Sequence, residues 1–192
     1  MDLMELLLRT RSHRGFEQTP VSRAQLEELV AAAQRTCATS NLQPLKYYLS
    51  WEEETNARIQ PLTHWAGRLS QLQLPREGHR PTAFVVICHD TAAAANPAGF
   101  QRDVGIVAEV MLLRATEIGL GGCMIGSFEA AKLAAVLELP DHLQPQLVIG
   151  LGVPDDEVIL EEAVDGKIAY YRDEKDIHHV PKRPLKEVII ND

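Results

Sequence analysis

The sequence predicts a single domain in which helices and strands share one core. Three observations predict it. A length of 192 residues suits one domain, or one domain with an extension. At 45% apolar but only 5% aromatic, the chain can bury a sizeable core built from Leu, Val, Ile and Ala. Both structural periods are present. Residues 100–118 place apolar side chains at three- and four-residue steps, and residues 82–89 and 147–153 are short continuous apolar runs.

Residues 4–8 read as a short helix with one apolar face. Ser22-x-x-Gln25 is a capping box that opens a helix to about Gln34, with Leu26, Leu29, Val30 and Ala33 on its buried face. Residues 36–46 are small and polar and end in Gln43-Pro44, which forces an extended conformation. A short strand follows at 47–51 and an acidic-started helix at 52–60. Residues 61–81, with three prolines and two glycines, predict a long mobile segment and a candidate lid, with Trp65 as its packing anchor.

The run 82–89 predicts a buried strand and 91–98 a small-residue loop. In the long helix, Ile106, Val110 and Leu113 widen the stripe of Phe100, Val104, Val107, Met111, Ala115 and Ile118, so a helix covered on most sides is expected. A glycine-rich crossover (119–127), a helix (128–137) and a strand (147–153) complete the body. The rest is polar and acidic, apart from an apolar end at Val188-Ile189-Ile190 that is expected to dock, most simply on a second subunit.

A net charge of −8 argues against a general nucleic-acid binder but leaves room for a local basic pocket. Cys37, Cys88 and Cys123 form no Cys-x-x-Cys pair, so neither a disulfide framework nor a zinc site is expected. No apolar run is long enough to span a membrane. Asp2 and Glu5 stand where a signal peptide would be basic, so a cytoplasmic location is expected.

Candidate chemistry begins at Arg11-Ser12-His13-Arg14. Two guanidiniums and a hydroxyl within four residues can converge on a small doubly charged anion. Alone, such a cluster is more often a solvated basic turn. Thr39, Asn41 and Gln43 offer hydroxyl and amide groups that suit either turn chemistry or the edge of a heterocycle. The run from Gly119 is not a dinucleotide-binding loop. It follows a helix rather than a strand, and its glycine spacing is wrong. Gly119 suits a helix C-cap, and Ile125, Gly126 and Ser127 can bring bare main chain against a flat ligand. Lys182-Arg183 is a basic pair in an acidic tail. His178 and His179 are adjacent and face opposite ways on a strand, which disfavours a metal site. No nucleophile–base pair and no paired carboxylates stand out, so a bound cofactor would carry any chemistry.

Taken in order, these stretches resemble the flavin-dependent nitroreductase family over nearly the whole chain. The matching features are Arg11-Ser12-His13-Arg14-Gly15-Phe16, Asn41-Leu42-Gln43-Pro44, the crossover 119–128 after a long helix, and Lys182-Arg183. Three positions depart from the pattern. Thr10 stands where many members carry a basic residue, Cys37-Ala38 replaces the usual Pro-Ser, and Gly126 stands where an acidic residue is frequent.

The resemblance implies an α+β fold: a mixed, mainly antiparallel sheet flanked by helices, in an interlocked homodimer with FMN at the interface. It implies one nitroreductase-like domain over 1–192, with 155–192 as an extension docking on the partner subunit. Arg11, Ser12, Arg14, Lys182 and Arg183 would come from one protomer and Thr39 and Asn41 from the other, with His13 and Gln43 in the same stretches. Charge-assisted bonds to the FMN phosphate would contribute roughly 1.5–3 kcal/mol each. The implied activity is ping-pong hydride transfer from NADH or NADPH through flavin N5 to a small acceptor such as a nitroaromatic or quinone. Arg14 would stabilise charge near N1 and O2, and main chain at Gly126 or Ser127 would hold N5. A flavin-binding or sensing protein without turnover is the alternative.

Overall fold

A computed structural model describes residues 2–69 and 71–191. Chain order gives α1 (Leu3–Arg9), β1 (Phe16–Glu17), α2 (Arg23–Ala33), β2 (Leu45–Ser50), α3 (Glu53–Ile59), β3 (Ala83–Asp90), α4 (Gln101–Glu117), β4 (Gly121–Ile125), α5 (Ala130–Val136) and β5 (Leu143–Pro154). A C-terminal part adds β6 (Val158–Glu162), β7 (Tyr171–Arg172), β8 (His178–Lys182) and α6 (Leu185–Val188).

The capping box is formed: the Ser22 hydroxyl accepts from Gln25 N–H, and the Gln25 side chain accepts from Ser22 N–H. Asp2 caps α1 in the same way, accepting from Glu5 N–H.

Five strands form the central sheet in the order β1-β5-β3-β2, with β4 also on β5, and these ladders are antiparallel. Alternate residues of β3 explain its unbroken apolar run. Ala83, Val85 and Ile87 pack with α2 and α4 on one face, while Phe84, Val86 and Cys88 pack with α3 and α5 on the other. A strand covered on both faces has no side that must be polar.

The structure departs from the sequence expectations in the crossover, the polar tail and the central sheet. Residues 121–125 of the expected crossover are a strand, β4. The polar tail holds a separate sheet, β6-β8-β7, with a parallel β6–β8 ladder, while the central sheet, expected to be mixed, has only antiparallel ladders among the described residues. Within the protomer α4 buries one face, and Ile106 is 41% exposed. Val188 ends α6, and in the protomer Ile190 is fully exposed.

The candidate lid is tied down at both ends. Thr63 bridges Phe128, and His79 C=O accepts from Phe16 N–H at 3.1 Å. Trp65 is the anchor expected. It packs edge-on to Phe16 and over Gly150, where an added Cβ would lie 2.8 Å from its ring. Among the described residues, no helix is long and apolar enough to cross a membrane.

Candidate functional site

Chain direction alone separates Arg11–Arg14 from the glycine-rich run by more than a hundred residues, and the sheet brings them together. Ser12 forms a parallel bridge with Gly122, and His13 N–H donates to Gly122 C=O at 3.0 Å. The stretch therefore lies along the free side of β4. Glycine makes the approach possible: a Cβ on Gly121 would sit 2.6 Å from the His13 ring and 2.4 Å from Pro154. At the far end of β4, Ile125 is buried while Gly126 and Ser127 are exposed. A Cβ built on Gly126 meets nothing within 4 Å, so its main chain is open to a flat molecule. Ser127 C=O accepts from His64 N–H at 2.9 Å.

Thr10, the first departure from the expected pattern, has a structural task. Its hydroxyl lies within hydrogen-bond distance of Leu6 C=O, at 2.9 Å, and of the Thr116 hydroxyl, at 3.1 Å, linking α1 to the end of α4. Arg11 donates to Leu7 C=O, and its Nε is buried without a partner. Burial pulls the Arg11 pKa down, with the Glu109 carboxylate opposing.

Asp156, which sequence reasoning did not single out, is the hub of the basic stretch. Its carboxylate accepts from Arg14 N–H at 2.8 Å, pairs with the His13 ring at 2.8 Å and with Arg172 at 3.2 Å. Burial alone would raise its pKa. The bonds from His13 and Arg14 N–H, with the charges of His13 and Arg172, outweigh burial and hold it below the usual carboxylate range. Arg14 lies 5.1 Å over the Tyr170 ring, and its Nη1 reaches Ser12 C=O and His178 Nε2, each at 3.0 Å.

The two histidines diverge, as alternation on β8 requires. His178 is buried beside Arg14, whereas His179 stacks on Tyr171 between Glu161 and Asp173. Neither Asp156 nor Arg172 carries a motif, and only the folded chain reveals their convergence.

The remaining predicted residues lie elsewhere in the protomer. Thr39 donates its hydroxyl to Asp103 at 2.6 Å and its N–H at 2.8 Å, at the opening of α4. Ser40, Asn41 and Gln43 all have positive φ, and the Gln43 amide donates to Asn41 Oδ1 at 3.1 Å. Asp103 and Thr116 are thirteen residues apart on one helix, so the Thr39 and Arg11 ends lie about 20 Å apart. Lys182 ends β8, Arg183 follows it, both are exposed, and Arg183 pairs with Glu187 at 3.2 Å.

A 440 Å³ cleft beside the Thr39 loop is lined by Ala38, Gln43, Tyr47 and Asp103. The residues present fit a flavin nucleotide: cations with unpartnered buried nitrogens at Arg11 and Arg14, an exposed hydroxyl at Ser12, and open main chain at Gly126.

The chain is 27% identical to an oxygen-insensitive NADPH nitroreductase of Salmonella typhimurium, covering 97% of this chain and 77% of that protein. It is 29% identical to an NADPH-flavin oxidoreductase of Vibrio harveyi, across 79% of this chain, and spans 65% of that relative's length. Among solved structures, a nitroreductase family protein from Clostridium difficile superposes with a TM-score of 0.70 at 20% identity, covering 98% of this chain and 97% of that one. One from Streptococcus pneumoniae gives 0.70 at 18%, with full coverage of both. The profile of the nitroreductase family matches residues 7–153, which takes in the basic stretch, the Thr39 loop and β4 but stops short of Asp156, and the chain belongs to that family.

Proposed function

We propose that the protein is an FMN-dependent NAD(P)H oxidoreductase acting on a small electron acceptor. One observation carries the reading: the Ser12–Gly122 bridge sets a cationic stretch and an open glycine main chain on one strand edge. When bound, FMN would supply two-electron chemistry, taking hydride from a nicotinamide and passing electrons to a nitroaromatic, a quinone or a similar acceptor.

The chain's own part is binding and electrostatics. Arg11, Ser12, Lys182 and Arg183 would hold the phosphate of FMN, Arg14 would stabilise negative charge on its ring, and main chain at Gly126 and Ser127 would receive the ring's other edge. Thr39, Asn41 and Gln43 serve the site of a second copy, since about 20 Å of α4 separates them from Arg11 in one protomer. The single domain 1–192 therefore works as a homodimer, with part of 155–192 reaching the partner. The apolar side chains left exposed on α1 and α4 and in the C-terminal end (Leu3, Met4, Ile106, Val188 and Ile190) supply the surface for it.

The test is reconstitution with FMN followed by anaerobic NADH or NADPH. Rapid bleaching of the flavin absorbance is expected. Bound FMN that does not bleach makes the protein a flavin binder only, and a chain that takes up no FMN overturns the reading. Arg11→Ala with Arg14→Ala should weaken FMN binding by about 100-fold or more, whereas Lys132→Ala, on the surface of α5, should leave it unchanged.

A further inference from the structure

Arg14 is held on three sides by a segment that lies beyond the family match. Asp156, Tyr170, Arg172 and His178 all fall after residue 153. Asp156 and Arg172 side chains are each only 5% exposed, and their ion pair fixes the carboxylate that holds the Arg14 main chain. Tyr170 covers one face of the guanidinium. His178 accepts from one edge of it, through Nη1.

That last bond dictates a tautomer. To accept from Arg14, Nε2 must carry the lone pair, so the proton of neutral His178 sits on Nδ1. Burial and the adjoining Arg14 and Arg172 charges favour the neutral ring, since a proton there would face two guanidiniums. The other edge of Arg14 is unused. Nε is buried without a partner, and Nη2 makes no hydrogen bond among the described residues. One edge is pinned, and the other has no hydrogen-bond partner among the described residues.

We propose that His178, backed by Tyr170 and Asp156, is a positioning residue that sets the guanidinium of Arg14 for its contact with the flavin ring. This rests on the flavin reading above. A flexible arginine would lose rotamer freedom on meeting its ligand, and one already stacked and hydrogen-bonded has less to lose. The family-matched part supplies the cation, and the C-terminal part of the same chain aims it.

Two substitutions separate aiming from packing. His178→Leu fills the space but removes the acceptor, whereas His178→Gln returns an acceptor near the Nε2 position. FMN affinity is read by flavin fluorescence titration, and the midpoint potential of bound flavin by equilibration with a reference dye. His178→Leu should weaken FMN binding by about tenfold and move the potential to more negative values, because Arg14 no longer favours charge on the reduced ring. His178→Gln should restore both. Tyr170→Leu, at a partly exposed position, should change both in the same direction as His178→Leu and keeps the test usable if the latter fails to fold.

Unchanged affinity and potential in folded His178→Leu or Tyr170→Leu overturns the inference and leaves the flavin reading intact. Equal loss in the Leu and Gln variants of His178 also overturns it. Wild-type protein that takes up no FMN removes both.

Discussion

At Asp156 one carboxylate serves three donors, and the consequence is a pH-dependent stability. His178, in the same cluster, has its pKa pulled down from 6.5 to about 4 by burial and by Arg14 and Arg172. The unfolded chain therefore binds a proton on this ring before the folded one does. Its contribution is complete above about pH 6.5 and is lost as pH falls toward 4, amounting to at most about 3 kcal/mol. Asp156 is shifted down, so its share is lost only at lower pH, below the ordinary carboxylate range. His179 works the other way. Despite burial, its bonds to Asp173 and Glu161 raise its pKa, so it stabilises at low pH and fades as pH rises past that raised value. Urea unfolding across pH 4–7 should show a falling stability on acidification, with a shallower slope in His178→Gln. An identical slope in the two proteins would contradict the assignment.

Strand β4 shows why an element can be misread. Residues 119–127 carry four glycines, and glycine is depleted in strands, so the run reads as a crossover. The glycines are there because neighbours come too close for side chains. Gly121 faces His13 and Pro154, and Gly122 faces Leu112 and Gly150 C=O. Gly121→Ala should cost about 1–3 kcal/mol, seen as a lower denaturant midpoint, and should weaken FMN binding by displacing Ser12 from β4. On the other side of the same layer, α4 was legible because its buried residues repeat at helical spacing. Met111 is fully buried between α2 and the sheet. Met111→Ala should cost about 2–5 kcal/mol in the same measurement.

For the molecule as a whole, the exposed apolar residues fit the homodimer proposed above. Ile106 and Val110 were expected to be covered, yet in the protomer Ile106 faces outward and Val110 is only half-buried, as fits an interface helix. Leu185→Ser with Ile190→Ser should weaken self-association by about tenfold or more in sedimentation equilibrium while leaving the protomer's unfolding midpoint unchanged, since neither residue is buried within it. A monomeric wild-type protein, or an unaltered dimer in the variant, would contradict the proposed arrangement.

Local pattern was enough for the capped helix α2, the doubly covered strand β3 and the family resemblance, because capping and periodicity act over a few residues. It was also enough to mark Arg11–Arg14 and Gly126 as candidates. Folding alone decided that Ser12 lies against Gly122, that the polar tail forms a second sheet, and that Asp156, Tyr170 and His178 close around Arg14. The contacts of Ser12 and Arg14 join residues that are more than a hundred positions apart, and no local propensity encodes such a separation; close packing and the pairing of buried charges do.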